Sequence, residues 1–377
     1  MKILILSNYF NHHQASLCDA LWRQTGGAFR FLETMPMPLP RKELGYPQWE
    51  REYVIRYWEQ KPLALEWIRE AEVVIAGSAP ENLVRQRILR GKLLLRCEER
   101  PLKKGMEIHK YLPRLLRWHW RNPPGKPIYL LCASAYTARD YANFFLFQNR
   151  AYRWGYFPET RRYASVELLL ARKDPRQILW CGRLLDWKHP DNALAAARRL
   201  KMEGYAFCLT FLGGGEREQI LRQKAAAYGL EDCVRFSGTC GPEQVRNAME
   251  QAGIFLFTSG RREGWGAVVN EAMNSGCAVV GSRDAGAVPW LIQDGVNGLT
   301  YSAGDVDGLY EKVKYLLDHP GDQKRLGRMA YQTILELWNG EVAAQRLTAL
   351  AEQILAGNPH PCSYLEGPCS LAERGQP

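Results

Sequence analysis

The chain has 377 residues, of which 46% are hydrophobic and 24% charged, a composition typical of a globular protein with two or three domains. This composition excludes wholesale disorder, and no apolar run approaches the roughly 18–20 residues that a membrane span needs. The first 175 residues hold 29 Lys and Arg against 17 Asp and Glu, or +12, and the remainder holds 21 against 23, or −2, which together give the net charge of +10. We therefore expect an anionic partner for the first half.

The start of the chain and the cysteines favour a reducing compartment. The apolar residues 1–6 give way to polar ones at Ser7, too early for the core of a secretion signal. The ten cysteines include no CxxC pair and no Cys/His cluster with zinc-ligand spacing, which favours buried thiols. We expect a cytoplasmic protein, either free or attached peripherally to the inner face of the membrane.

The first half alternates short Val/Ile/Leu runs with helix-length polar or amphipathic segments. Such runs are typical of parallel strands covered by helices on both faces, so a doubly wound sheet is predicted. Ligands of such sheets bind at the carboxyl ends of the strands, so the segments that follow each strand are the candidate sites. The predicted strands are residues 2–6, 29–33, 73–77, 93–97 and 128–133.

Polar side chains follow the first predicted strand at the start of a helix. They are Asn11, His12 and His13. At this position they either face the ligand, as a phosphate or acceptor site, or they cap and pack the helix, with Asn11 as the N-cap.

A second set of candidate acceptor-binding residues follows the strand at 93–97. They are Glu99, Arg100 and Lys103. Acceptor recognition and a solvated charge run are equally good interpretations of this segment.

Residues 85–126 carry 13 basic and 3 acidic side chains. Within them, residues 107–121 are predicted to form a basic helix with tryptophans, which suits an anionic membrane surface. The alternative is a surface helix that its leucines pack on its own sheet. The cations of this helix lie three or four positions apart, at Lys110, Arg114, Arg117 and Arg121.

The pattern breaks around residues 156–174 and then restarts as a second Rossmann-like domain. We predict an N-terminal domain at 1–160, a linker at 161–175, a C-terminal domain at 176–356 and a disordered Pro/Gly-rich tail at 357–377. The predicted strands of the second domain are residues 177–181, 207–212, 234–237, 254–258, 278–281 and 298–301. Its predicted helices are residues 190–203, 216–228, 242–251, 267–275, 305–318 and 322–356.

Three strand-end segments of the second domain suit a phosphate. Gly182, Arg183 and Lys188 follow one strand, where the two cations either hold phosphate oxygens or are solvated. The run at 213–216 contains Gly213, Gly214 and Glu216, and either lets the backbone approach a ligand or makes a tight turn. It is not GxGxxG, so a nicotinamide dinucleotide is disfavoured.

The third segment, residues 258–273, is the most informative. It places Glu263 in a loop and Glu271 about one turn inside the next helix. Between them, Gly264 and Gly266 permit a backbone path that presents the amides of Trp265, Ala267 and Val268 to an anion such as a pyrophosphate. Two incidental carboxylates at a helix start are the alternative, which leaves the paired glycines unexplained.

Six motifs in order, at residues 182–188, 213–216, 263–271, 275–281, 286–292 and 294–299, resemble the retaining glycosyltransferases of family 4, the group 1 enzymes of the GT-B fold. The resemblance implies two Rossmann-like domains facing a central cleft, with the domain at 1–160 binding the acceptor and the domain at 176–356 binding the nucleotide sugar. It also implies a UDP- or GDP-sugar as co-substrate and no metal or other cofactor. It places Arg183 and Lys188 on the diphosphate, Glu263 on the sugar and Glu271 on the ribose. Ser237 and Gly238 match the strand end beside the nucleobase. The glycine-rich loop that many members have after the first strand is absent here.

We therefore expect a hexosyltransferase that acts on a glycan or lipid-linked acceptor in polysaccharide or cell-envelope biosynthesis. An epimerase or a phosphorylase of the same fold is the alternative within the class. A nucleic-acid-binding protein is the alternative outside it, but no RRM, KH, zinc-finger or helix-turn-helix signature is present, so we expect no nucleic acid.

Overall fold

The computed structural model describes residues 1–43, 49–361 and 364–372, and it divides the chain into two compact units. The first unit comprises Met1–Glu159 together with the chain from Asn339 onward, and the second is Thr160–Trp338. Each unit is built on one parallel sheet with helices in the connections.

The first unit holds a seven-stranded sheet in the order β3-β2-β1-β4-β5-β6-β7. Its core is a cluster of fully buried aliphatic side chains on the strands and on the third and fourth helices. Up to Glu159 its elements are β1 (Ile3–Ser7), α1 (His12–Gln24), β2 (Phe29–Glu33), α2 (Leu39–Glu43), β3 (Val54–Arg56), α3 (Lys61–Glu70), β4 (Val73–Ala76), α4 (Glu81–Leu89), β5 (Leu94–Glu98), α5 (Tyr111–Arg121), β6 (Ile128–Cys132), α6 (Thr137–Ala142) and β7 (Ala151–Arg153).

The second unit holds a six-stranded sheet in the order β10-β9-β8-β11-β12-β13, so β8 and β11 are neighbours at its centre. Its elements are α7 (Val166–Ala171), β8 (Asp174–Cys181), α8 (Pro190–Met202), β9 (Cys208–Leu212), α9 (Glu218–Ala227), β10 (Val234–Phe236), α10 (Pro242–Gln251), β11 (Ala252–Phe257), α11 (Val268–Asn274), β12 (Ala278–Ser282), α12 (Val288–Leu291), β13 (Leu299–Tyr301), α13 (Val306–Asp318) and α14 (Pro320–Glu336). The predicted pair of doubly wound Rossmann-like sheets is confirmed.

Two strands of the first sheet were not predicted, namely β3 and β7. Each has three residues, and Ile55 is the one buried aliphatic residue of β3. Such short edge strands have no continuous apolar run, so the pattern that predicts central strands does not mark them.

The last helix, α15 (Gly340–Leu355), belongs to the first unit, which differs from the prediction of one C-terminal domain at 176–356. The predicted helix at 322–356 is interrupted at Leu337–Asn339. Asn339 is the N-cap of a new helix there, because its side chain accepts the Val342 amide. A Cβ on Gly340 would lie 2.4 Å from the Ser16 hydroxyl oxygen, so α15 approaches α1 closely at this point.

The predicted linker and tail also differ from the structure. In the segment predicted as a linker, the Arg161 amide donates to the Asn274 side chain at 2.7 Å, and the buried Lys173 ammonium donates to the Met249 carbonyl at 2.7 Å. In the predicted tail, residues 364–372 are described, and the Cys369 amide donates to the Arg153 carbonyl at 2.8 Å. The tail therefore pairs with the open edge of β7, a contact that composition alone does not indicate.

Within the described residues, no helix combines the length and the hydrophobicity that crossing a bilayer requires.

Candidate functional site

The loops after β8, β9 and β10 meet through glycines. The Gly213 amide donates to the Gly238 carbonyl at 2.7 Å, and the Gly182 amide donates to the Leu212 carbonyl at 3.0 Å. Gly213 has a φ of +132°, and a Cβ there would lie 2.0 Å from the Gly182 carbonyl oxygen. This position therefore requires glycine because two backbones touch, which favours the tight-turn interpretation for Gly213.

The other residues that the sequence predicted for this part of the site lie at the same strand ends. Gly214 lies next to Thr239, with 3.0 Å between a Cβ built on it and the Thr239 hydroxyl oxygen. Glu216 and Ser237 are exposed, and Glu216 stands in the turn before α9, two residues ahead of the helix that was predicted to begin with it. These positions border the site without contributing an observed contact to it.

Lys188 and Glu263 form an ion pair between the loops that follow β8 and β11. Their Nζ and Oε2 atoms are 2.5 Å apart, and both side chains are largely buried. The Ser259 hydroxyl donates to the same Glu263 oxygen at 3.0 Å. The sequence singled out both charged residues but not their contact, which depends on β8 and β11 being neighbours in the sheet.

Thr258 fixes these two loops to each other. Its hydroxyl accepts the indole N–H of Trp180 at 2.8 Å and donates to the Lys188 carbonyl at 2.6 Å. The Gly260 amide donates to the Trp187 carbonyl at 3.1 Å. A charged pair held by a buried hydrogen-bond network is preorganised, so little reorganisation is needed when a ligand arrives.

The Arg183 side chain, unlike that of Lys188, is not paired with a carboxylate of the described residues. Its side chain is exposed, and it makes no hydrogen bond or ion pair within the part of the chain that the structure describes. It follows Gly182 at the end of β8, so its guanidinium is available to an anion at this edge of the sheet.

The backbone between β11 and α11 presents a row of open amides. In the described residues, no protein acceptor binds the amides of Trp265, Gly266, Ala267 or Val268. Gly266 has a φ of +96°, and a Cβ there would lie 2.4 Å from the Phe257 ring. Glycine is therefore needed to turn the chain so that these amides point away from the core.

The buried side chain of Trp265 fixes the position of the backbone segment that carries these open amides. Its indole N–H donates to the Asn270 side chain at 2.9 Å, and its ring packs against Trp338 with 5.7 Å between centroids. The side chain is 1% exposed. The Trp265 side chain therefore belongs to the core, and only its backbone amide is open to a ligand.

Glu271 lies in the first turn of α11, one turn beyond the amide row. Burial raises the pKa of its carboxyl to about 7, although Arg246 and Arg161 oppose the shift. Burial and the charge of Glu271 also raise the pKa of the Cys181 thiol to about 12, which locates the carboxyl beside the end of β8. A carboxyl with a pKa near 7 accepts a hydrogen bond when it is ionised and can donate one when it is protonated.

In the first unit, Asn11 is the N-cap of α1, as one interpretation predicted. Its side chain accepts the His13 amide at 3.0 Å, and Gln14 completes a capping box. The rings of His12 and His13 lie 3.9 Å apart. Burial, and then the charge of Arg41, lower the pKa of His12 to about 4, and the pKa of His13 is also lowered, first by burial. Both imidazoles are therefore neutral at pH 7.

Glu99, Arg100 and Lys103 are engaged within the first unit. The Arg100 guanidinium donates to the buried Asp140 carboxylate at 3.0 Å and lies 4.5 Å from the Tyr136 ring. Lys103 pairs with Glu99, which also accepts the Tyr156 hydroxyl at 2.7 Å. These contacts favour a structural role for Arg100 over either interpretation of the sequence.

The first unit contains a cavity of about 290 Å³ that the sequence did not predict. It opens where β1, β2 and β3 end, and it combines indole rings with charged groups. The Glu33 carboxylate in it accepts the Phe10 amide at 2.8 Å and faces Arg56 at 3.5 Å. Its other lining residues are Pro36, Met37, Lys42, Trp49, Trp58 and Glu59.

Two Rossmann-like parallel sheets, the second with cations and open amides at its strand ends, are the elements expected of the GT-B fold. Residues 166–333 match the sequence model of the family described as glycosyl transferases group 1. The matched segment covers nearly all of the second unit, Thr160–Trp338, and agrees with the resemblance that the motifs indicated.

Relatives and solved structures agree with this class. The chain is 30% identical over 195 residues to an amylovoran biosynthesis glycosyltransferase, AmsK, of Erwinia amylovora, covering 50% of this chain and 48% of that protein. It is 28% identical over 187 residues to a putative colanic acid biosynthesis glycosyltransferase, WcaL, of Salmonella typhimurium, covering 48% of this chain and 46% of that protein. The chain thus spans about half the length of the curated relatives it matches.

A solved structure extends the likeness to both units. Anabaena Alr3699/HepE in complex with UDP has a TM-score of 0.66 at 17% identity, covering 94% of this chain and 100% of that one. At this identity the likeness concerns the fold, and the predicted GT-B fold is confirmed.

Proposed function

We propose that this chain transfers a hexosyl group from a UDP- or GDP-sugar to a glycan or lipid-linked acceptor in polysaccharide or cell-envelope biosynthesis. The proposed transfer retains the anomeric configuration and needs no metal. The observation that carries the proposal is the grouping of Arg183, Lys188 and the open amides of residues 265–268 at the ends of β8 and β11.

The grouping suits the departure of a nucleoside diphosphate. When the bond between sugar and diphosphate breaks, negative charge grows on the β-phosphate, and nearby cations and amides stabilise it more in the transition state than in the ground state. The Arg183 guanidinium, which is not paired in the described residues, can donate two hydrogen bonds to phosphate oxygens, and the Lys188 ammonium contributes a compact positive charge. The amides ahead of α11 contribute oriented dipoles. Fixed positive groups of this kind take the role that a divalent ion has in other transferases.

The two carboxyl groups suit the sugar and the ribose. Glu263 is held by Lys188 and Ser259, so it is oriented to accept hydrogen bonds from donor-sugar hydroxyls. A carboxylate paired with an ammonium is a weak nucleophile, so we assign it to binding. Glu271, near the end of β8, is assigned to the ribose. Retention is proposed from the family 4 resemblance alone.

The named relatives support the polysaccharide setting and the nucleotide. AmsK and WcaL are named for amylovoran and colanic acid biosynthesis, and HepE was solved with UDP. For the acceptor, the cavity at β1–β3 offers indole faces on which a sugar ring can stack and the carboxylates Glu33 and Glu59 to accept its hydroxyls. We therefore place acceptor binding there, with the neutral His12 and His13 on the adjacent helix start.

A ligand-induced shift in melting temperature tests the donor site directly. UDP, GDP, ADP and the corresponding sugars are titrated with EDTA present throughout. At 100 times its Kd, the correct nucleotide adds about 2.7 kcal/mol of stability, or about 5 °C or more in Tm. No shift with any nucleotide would contradict the donor site, and a shift that appears only after Mg²⁺ or Mn²⁺ is restored would contradict metal independence.

A further inference from the structure

The outward face of α5 and of the 3₁₀ turn before it, Ile108–Lys110, is apolar. Ile108 is 94% exposed, Leu112 60%, Leu116 63% and Trp120 53%. Successive members are four residues apart, so they form one stripe along the helix. We call these four residues the α5 stripe.

One residue of the stripe contacts its own unit, since the Arg85 guanidinium lies 4.5 Å from the Trp120 ring. The inward face makes the other contacts: the Trp118 ring lies edge-on to Phe144 at 4.3 Å, and Tyr111 stacks on Phe144 at 5.0 Å. The Tyr111 hydroxyl also donates to the Asn143 carbonyl. The inward face therefore holds α5 on its unit, and the exposed apolar side chains of the outer face mark it as an interaction surface.

The loop that receives the inner face exposes one more ring. Phe145, directly after Phe144, is 69% exposed and has a φ of +58°. This left-handed conformation is strained for a residue with a side chain, and glycine would adopt it freely. Phe145 is therefore a strained, exposed phenylalanine that directly follows the residue packed on the inward face of α5.

The charge around the stripe is positive but smaller than the sequence count indicates. Arg121 is paired with Glu81 and Glu98, Lys110 with Glu107, and Arg87 is buried among backbone carbonyls. Arg90, Lys104 and Arg117 are exposed and have no partner in the described residues. Four helix cations were predicted to act together, but one of them, Arg121, is an internal structural group.

We propose that the α5 stripe inserts shallowly into the headgroup region of an anionic lipid bilayer, with Arg117 and Lys104 contacting lipid phosphates. A nucleic acid or a soluble polyanion would be bound through cations, with a base stacking at most on Trp120, and would gain nothing from exposed Ile108, Leu112 and Leu116. A helix with an apolar face, a terminal tryptophan and flanking cations is the pattern of interfacial binding. This inference goes beyond the proposed function and does not rest on it.

Vesicle co-sedimentation tests the proposal with the full chain. Phosphatidylcholine vesicles with and without one quarter phosphatidylglycerol are compared at 0.1 M and 0.5 M salt. We expect binding to the anionic vesicles that weakens at high salt, since the charges are exposed. Leu112→Gln, Leu116→Gln and Trp120→Gln together should lower the partition coefficient about 100-fold, because three apolar side chains no longer leave water.

A matched control separates the stripe from general surface hydrophobicity. Leu168→Gln with Met202→Gln changes two exposed apolar residues of the second unit and should leave vesicle binding unchanged. An unchanged melting temperature and an unchanged nucleotide shift in the triple variant show that it is folded.

Three results would overturn the proposal. One is wild-type binding by the triple variant. Another is no binding of the wild-type chain to anionic vesicles at low salt. The third is a concentration-dependent dimer in sedimentation velocity that the triple variant abolishes while vesicle binding stays absent, because the stripe would then bind a second copy of this chain.

Discussion

Replacing Glu271 by glutamine should stabilise the ligand-free protein and weaken its binding to the nucleotide. Burial raises the pKa of Glu271 from 4.5 to about 7, which at 1.36 kcal/mol per unit corresponds to about 3 kcal/mol. Between these pH values the folded protein keeps a proton that the unfolded chain has released. Stability is therefore lost as the pH rises through this window, and the full cost is present above pH 7.

The amide of Glu271→Gln carries no charge at any pH and so avoids this cost. Because a buried amide has a smaller burial cost of its own, we expect a net gain of about 2 kcal/mol at pH 8, or about 4–8 °C in Tm. At pH 5 the wild-type carboxyl is mostly protonated, so the two proteins should melt at nearly the same temperature.

Nucleotide binding should change in the opposite direction. A hydrogen bond to a charged acceptor contributes about 1.5–3 kcal/mol, so Glu271→Gln should raise the Kd for the nucleotide about 10- to 100-fold. Thermal melts from pH 5 to pH 8 and calorimetric titration measure the two effects in one preparation. Glu231→Gln, an exposed change in the same unit, is the control. A stability difference that does not vary with pH would refute the burial argument, and an unchanged Kd would remove Glu271 from the ribose site.

Two further predictions concern turnover and the acceptor. Arg183→Ala and Lys188→Ala should each lower kcat by about 100-fold or more, because each removes charge stabilisation from the departing diphosphate. Arg183→Lys should restore part of the loss. Near-wild-type rates in both alanine variants would contradict the donor assignment. Trp58→Ala, in the lining of the cavity of the first unit, should raise the KM for the acceptor about 10-fold and leave the nucleotide-induced Tm shift intact; a changed nucleotide shift with an unchanged acceptor KM would argue against an acceptor cavity.

The strands could be predicted where their side chains form a continuous buried apolar run. Most of the predicted strands follow from runs of Val, Ile, Leu and Phe, because both faces of a parallel sheet are covered. The edge strand β10 was predicted as well, although Val234 is the one fully buried residue of its three. β3 and β7 lie at the edges, where three residues suffice and partly exposed side chains interrupt the apolar pattern. Helix α15 belongs to the first unit because it contacts α1, where Arg23 pairs with Glu341, 318 positions away in sequence. No local sequence pattern indicates a contact between residues so far apart.

The site was predictable as residue types but not as contacts. Arg183, Lys188, Glu263 and Glu271 were recognised because they follow strands, where ligands of doubly wound sheets bind. The Lys188–Glu263 pair was missed because β9 and β10 separate the two residues in sequence, while β8 and β11 are neighbours in space. The charge count of residues 85–126 was misleading for a related reason, since sequence cannot separate Arg96 and Arg121, which bind Glu81, from a cation that faces solvent.

The chain order of the two units has a consequence for how the protein is assembled. The second unit is one continuous segment, Thr160–Trp338, whereas the first needs both ends of the chain. Arg23 of α1 pairs with Glu341 of α15, and the segment after α15 pairs with β7. Since domains fold as units during synthesis, the second unit has all its residues before the first unit does. Changes in α15 or at Cys369–Leu371 should therefore act on the stability of the first unit and its cavity, while the proposed nucleotide binding by the second unit is retained.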